Sequence, residues 1–108
     1  MSNIMSVVKV VYISGPMTGF EDLNFPAFFD AEDNLRALGY EIINPARIDQ
    51  PDKSWVACMK RDIVEMMAAD TVVTLPGWEK SKGAQIEVEL AKRLGMQVYE
   101  LGIITQTA

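Results

Sequence analysis

The chain of 108 residues contains no histidine and a single cysteine, Cys58. The first absence removes Ser-His and Cys-His nucleophilic catalysis and most transition-metal sites, since imidazole is the usual base and ligand there. The second excludes an internal disulfide and a cysteine-based zinc cluster. Basic charge is also scarce: 10 Lys and Arg stand against 15 Asp and Glu, a formal net charge of −5. A nucleic-acid polymer ordinarily requires a basic footprint, so none is expected as partner. A small anion remains admissible where a few donors gather locally. No apolar run approaches the length of a membrane span, and residues 1–6 lack the charged and apolar regions of a signal peptide. Repeats, low-complexity runs and Gly/Ser linkers are missing too. These absences predict a soluble cytoplasmic protein in which residues 1–108 form one domain; with 49% apolar residues it can bury one core.

What is present alternates. Residues 7–13 (VVKVVYI) read as a buried parallel strand. The loop 14–19 (SGPMTG) follows, and Gly15 in it is a candidate for close backbone approach to a ligand. Asn24 is predicted to cap a helix with Pro26 in its first turn, passing Leu35 and Leu38 and stopping at Gly39. Residues 40–43 form a second strand closed by Asn44 and Pro45, residues 46–53 an irregular connection, and Ser54 caps a helix over 55–69. A strand at 71–75, a polar loop, a helix from near Gly83 to a stop at Gly95, and a strand at 96–101 complete the pattern, with 102–108 unassigned. Strands alternating with helices predict an α/β three-layer sandwich with a parallel sheet of four or five strands, flavodoxin-like or Rossmann-like. So small a sheet gains cover from self-association, which favours a homo-oligomer.

Two helices carry a carboxylate where an apolar side chain is expected. At about 100° per residue, Gly83, Ala84, Ile86, Leu90, Ala91 and Leu94 form one apolar arc with Glu87 in its middle. On the preceding helix Trp55, Cys58, Met59, Ile63, Met66, Met67 and Ala69 form another, and Asp62 falls within it. A buried carboxylate costs several kcal/mol unless paired or protonated. The bland explanation is that each caps a neighbouring loop or pairs with Arg47, Lys60 or Arg93. Paired carboxylates without histidine suit chemistry at an anomeric carbon, one attacking or stabilising an oxocarbenium-like centre while the other manages a proton. Whether the two meet depends on strand order. The loop ahead of Glu87, Lys80-Ser81-Lys82-Gly83-Ala84, reads either as an anion cradle at a helix N-terminus or as a solvated loop with Ser81 as cap.

The ordered set YISGPMTG, RDI with AD eight residues after its Asp, and SKGAQIEVELA resembles the nucleoside 2-deoxyribosyltransferase-like superfamily, which includes the deoxynucleoside 5′-monophosphate N-glycosidases. More closely, the chain looks like the short DUF4406 domain of phage and bacterial genomes. The resemblance implies a catalytic glutamate at Glu87, in a Gly-x-x-x-Glu-x-x-x-Ala pattern matched by Gly83 and Ala91, with Asp62 and Tyr12 assisting. It also implies that Ser81, six residues before the glutamate, contacts a 5′-phosphate, where the transferases carry an aspartate. Gly83, Ala84, Gly15 and Asn44 are the further candidates for substrate binding. The chain departs from the glycosidases in having no arginine in its first glycine loop and Val88-Glu89 where the enzymes carry Leu-Gly. The expected activity is hydrolysis or transfer at the N-glycosidic bond of a (deoxy)nucleoside 5′-monophosphate, with no metal and no organic cofactor. The alternatives are a non-catalytic nucleotide-binding, sensor or phage accessory module, and a glycohydrolase of NAD or nucleotide sugars.

Overall fold

A computed structural model describes residues 8–106. Among them are four strands, β1 (Val10–Ser14), β2 (Glu41–Ile43), β3 (Thr71–Thr74) and β4 (Gln97–Glu100). Four helices accompany them: α1 (Phe25–Ala37), α2 (Trp55–Met66), α3 (Lys82–Arg93) and α4 (Leu101–Gln106). The strands pair in parallel in the order β2-β1-β3-β4, so the sheet is an α/β sheet at the small end of the expected range.

Strand order decides which helices share a layer. The chain moves one way from β1 to β2, and the opposite way from β2 to β3 and from β3 to β4. Right-handed crossovers therefore put α1 on one face and both α2 and α3 on the other. Alternation along the strands agrees. Val11, Ile13, Val73 and Leu75 pack with Phe28, Ala31 and Leu35 of α1 and with Ile104 of α4. Tyr12 and Val72 pack with Met66 of α2 and with Val88 and Ala91 of α3. The connections leaving the neighbouring strands β1 and β3 run in opposite directions, and in open parallel sheets the crevice at the carboxyl ends of such strands is the ligand site.

Several boundaries differ from the sequence pattern for local reasons. β1 starts at Val10, because the Asp70 carboxylate takes the N–H groups of Lys9 (3.1 Å) and Val10 (2.9 Å), tying the strand's start to that of β3; residue 7 lies outside the described residues. β1 also runs on to Ser14, whose carbonyl accepts from Leu75 N–H. Asn24 does not cap α1 through its side chain. It sits at φ 61°, the last of three left-handed residues (Asp22, Leu23, Asn24), and its amide donates to the Pro16 carbonyl at 2.9 Å. α2 ends at Met66, and β4 ends at Glu100 because Leu101 opens α4. The buried face of α3 is Ala84, Glu87, Val88 and Ala91, whereas Ile86 and Leu94 are exposed. The apolar arc is thus wider than the sector that the sheet covers, and Glu87 stays inside that sector.

Beside the crevice, Glu32 of α1 is 3% exposed and accepts hydrogen bonds from Arg36 Nε (2.8 Å), Arg47 Nε (2.8 Å) and Asn44 Nδ2 (3.0 Å). Asn44 Oδ1 in turn receives the Ala46 N–H, fixing the 3₁₀ turn Pro45–Arg47 after β2. Burial pushes the Glu32 carboxyl up, but hydrogen bonds from Arg47, Arg36 and Asn44 outweigh it and bring it down to about 2. Glu32→Gln is expected to lower stability at neutral pH by about 1 kcal/mol, because buried Asn44 and the two half-exposed guanidiniums lose their anion. The folded carboxyl titrates below its unfolded value of 4.5, so the wild-type advantage is present above that pH and is lost as the pH falls toward about 2. Urea unfolding of both proteins from neutral pH to about pH 3 checks this: the gap between them narrows.

Candidate active site

The crevice at the carboxyl ends of β1 and β3 holds a cavity of about 220 Å³. Its polar wall includes Tyr12, Asp62, Ser81 and Glu87; its apolar wall includes Met17, Leu23, Phe28, Pro45, Trp55 and Met59. Tyr12 comes from β1, Asp62 from α2 and Glu87 from α3, so the two helices that share a layer bring the two carboxylates to one cavity.

Glu87 is 4% exposed, and neutral hydroxyls hold both of its oxygens. Tyr12 OH donates to Oε2 at 2.9 Å and Ser14 Oγ donates to Oε1 at 2.7 Å. Burial pushes the Glu87 carboxyl up to about 7; the hydrogen bonds from Ser14 and Tyr12 oppose this, and the charge of Asp62 adds to it. Asp62 is held at about 6, first by burial and then by the charge of Glu65. Tyr12 is pushed well above the usual phenol range by burial and by the charges of Glu87 and Asp62, so it serves as a neutral donor. Two carboxyls that titrate close to neutrality across one cavity can divide the roles of anion and acid.

Ser81 occupies the N-cap of α3, and its Oγ accepts from Ala84 N–H at 3.3 Å. Ala84 N–H is thereby engaged, while Gly83, in the first turn, carries an N–H without an intrahelical partner. A side chain at Gly83 would bring its Cβ within 2.9 Å of Met59 Sδ, so this glycine lets α3 approach α2. Gly15 lines the cavity, and a Cβ there would lie 2.8 Å from Leu75 Cβ; its smallness serves the closure of β1 against the end of β3. At the N-termini of α2 and α3, Lys82 Nζ lies 4.4 Å above the Trp55 ring, joining the two helices beside the cavity.

Of the residues singled out from sequence, Glu87, Asp62, Tyr12, Ser81, Gly83, Ala84 and Gly15 all line this cavity. Asn44 does not. It is 4% exposed, and its amide is committed to Glu32, Phe28 and Ala46, so it supports the Pro45 wall from behind. Ser14 was missed. Its position two residues after Tyr12 puts it on the same sheet face, and that alternation is the signal that identifies it. Among the described residues no cluster of His, Cys, Asp or Glu is arranged to hold a metal ion, and no helix is long and apolar enough to cross a membrane.

Two solved structures share the fold. The 2-deoxyribosyltransferase of the psychrotolerant bacterium Bacillus psychrosaccharolyticus is similar with a TM-score of 0.67 at 21% identity, over 84% of this chain and 70% of that enzyme. The 2-deoxyribosyltransferase of Leishmania mexicana is similar with a TM-score of 0.67 at 19% identity, over 85% of this chain and 63% of that enzyme. The chain thus spans less than two thirds of the Leishmania protein. No curated protein matches it in sequence. The sheet order, the helix layers and these likenesses define a nucleoside 2-deoxyribosyltransferase-like fold. A family model described as a domain of unknown function, DUF4406, matches residues 9–100, and the chain belongs to that family.

Proposed function

We propose that this protein cleaves the N-glycosidic bond of a (deoxy)nucleoside 5′-monophosphate, passing the sugar to water or to a second base. The observation that carries this reading is a carboxylate buried at the sheet's switch point, held by two hydroxyls and facing a second carboxylate across the cavity. In the proposed reaction ionised Glu87 attacks C1′. An ester bond forms, the C1′–N bond breaks, and its electron pair leaves with the base, which takes a proton from neutral Asp62. Water then attacks C1′, gives its proton to the Asp62 carboxylate, and releases Glu87. A second base in place of water gives transfer. Ser81 keeps its hydroxyl proton while accepting from Ala84, so it and the Gly83 N–H suit a phosphate at the N-terminus of α3. The exposed apolar side chains Val56 and Val64 on α2, Ile86 on α3, and Met67 and Leu94 just past the ends of these helices support self-association as a homo-oligomer.

Glu87→Gln is expected to lower base release from nucleoside 5′-monophosphates by at least ~10³-fold while the fold persists. The same variant tests the buried charge. Glu87 titrates in the folded protein at about 7, above its unfolded value of 4.5, so its ionisation opposes folding increasingly between those values. Above neutral pH the Gln variant is therefore more stable than wild type, by about 2 kcal/mol, and the difference vanishes in mild acid. Chromatography of released base and urea unfolding read the two effects. Nucleotides that raise the melting temperature of wild type without being consumed would replace the enzyme with a binding module.

Attack needs Glu87 ionised and departure of the base needs Asp62 protonated. With Glu87 at about 7 and Asp62 at about 6, that form is the minor one of the singly protonated pair, and kcat/KM is expected to follow a narrow bell whose limbs belong to the coupled pair. Asp62→Asn removes the alkaline limb and lowers kcat by about 10²-fold or more; the acid limb that remains reports Glu87 alone, below about 7 because it has lost a repelling neighbour. A pH–rate profile of both proteins decides this. Light scattering of the wild type checks the oligomer; a monomer at all concentrations overturns that part.

A further inference from the structure

Glu87 is held from two sides that differ in kind. Tyr12, which donates to Oε2, lines the cavity, whereas Ser14, which donates to Oε1 at 2.7 Å, is fully buried and does not line it. Oε1 is therefore turned toward the sheet, and Oε2 stays at the cavity wall. Neither donor is charged. Among the described residues, the titratable groups that act on Glu87 are Tyr12 from β1 and Asp62 from α2, neither of them a cation. Lys53 lines the same cavity but lies 3.7 Å from Asp49.

We propose that Ser14 is a positioning residue: it ties Glu87 Oε1 to the sheet, so that Oε2, beside Tyr12, is the oxygen that reaches a ligand in the cavity. The assignment rests on the reading of Glu87 as nucleophile. The geometric part, that one strand hydroxyl sets the orientation and ionisation of this carboxylate, stands without turnover. A free glutamate side chain samples several staggered rotamers. Two hydrogen bonds from β1, to separate oxygens, select one of them. The Ser14 bond also favours the anion over the neutral acid, against the burial that opposes it. Without Ser14, Oε1 would lose the hydroxyl that donates to it, the carboxyl would take up its proton at higher pH, and the side chain would lose its second anchor.

The neighbouring strand supplies an internal control. Thr74 is the register partner of Ser14, lies on the same face, and is also buried, but among the described residues its Oγ1 has no hydrogen-bond partner. Thr74→Val removes a hydroxyl of similar burial that makes no hydrogen bond to Glu87.

The test is a carbon-13 NMR titration of the Glu87 carboxyl in wild type, Ser14→Ala, Ser14→Cys and Thr74→Val, with base-release kinetics on the same four proteins. Ser14→Ala is expected to titrate about one pH unit higher than wild type. Its kcat/KM near neutral pH falls about 10–100-fold, mostly through kcat, and the acid limb of its pH profile moves up. Ser14→Cys, a weaker donor of similar size, falls between, and Thr74→Val follows wild type in every readout. A purely structural serine would lower the melting temperature and leave the Glu87 titration where it was. That outcome overturns the proposal, as does an equal shift in Thr74→Val. If wild type releases no base from any nucleotide, the reaction assigned to Glu87 fails. The four titrations then still decide whether Ser14 governs the carboxylate.

Discussion

The arrangement depends on one constraint: a carboxylate kept out of water without a cation beside it. The protein contains its own comparison. Glu32 and Glu87 are almost equally buried, at 3% and 4% exposed. Glu32 is answered by two guanidiniums and an amide and is held at about 2, permanently ionised. Glu87 is answered by two neutral hydroxyls and is held at about 7. The first arrangement suits a structural anchor, whose charge should never change. The second leaves a group whose proton comes and goes near neutrality, at the expense of folding stability, which is the usual mark of a residue retained for chemistry.

Topology makes that arrangement possible. Two successive crossovers in the same direction lay α2 and α3 side by side over β1 and β3, so side chains from consecutive helices face each other above one pair of strand ends. Gly83 lets the N-terminus of α3 close against Met59 of α2, and Lys82 over Trp55 joins the helices at the same end. The cavity is the space that remains between them. The other layer contributes from below: the Glu32–Asn44 network fixes the turn after β2, and Pro45 of that turn completes the wall. Site and scaffold are therefore one construction, with the strained turn at Asp22–Asn24 bringing Leu23 to the rim.

Periodicity was a good guide where one physical rule dominated. Glu87 and Asp62 stood out because helical spacing put charge on apolar faces, and the cavity is where those faces meet. Ser14 was hidden because a serine at a strand's end looks like the first residue of a loop; alternation puts it on the Tyr12 face, and the hydrogen bond to a residue far along the chain gives it a role. Asn24 misled in the opposite direction, since a residue type that favours helix caps was used instead to bond the Pro16 carbonyl. The terminal helix α4 has little intrinsic helical pattern. It is fixed by burying Ile104 against the α1 layer, a tertiary effect that no local signal carries. The overlong apolar arc of α3 is informative in retrospect, for Ile86 and Leu94 extend it beyond what the sheet can cover.

The departures from the glycosidase pattern can now be weighed by where they fall. Val88 is 2% exposed and packs with Tyr12 and Val72, so it supports the tyrosine that holds Glu87. Glu89 points away and pairs with Arg93 on the surface. Neither lines the cavity, so Val88-Glu89 leaves the groups on its wall unaltered. The missing arginine of the first glycine loop is different, because Met17 and Thr18 of that loop do line it. With Lys53 the cationic side chain on the cavity wall, an anionic group would depend more on Ser81 and the N-terminus of α3 than on a guanidinium. In the proposed reaction this shifts recognition from charge toward shape, with Met17, Leu23 and Phe28 forming an apolar wall of the cavity. Such a wall discriminates weakly between bases of similar size. In the proposed reaction the chemistry thus rests with the carboxylates and hydroxyls of β1, α2 and α3, while the choice of substrate rests on the loop after β1.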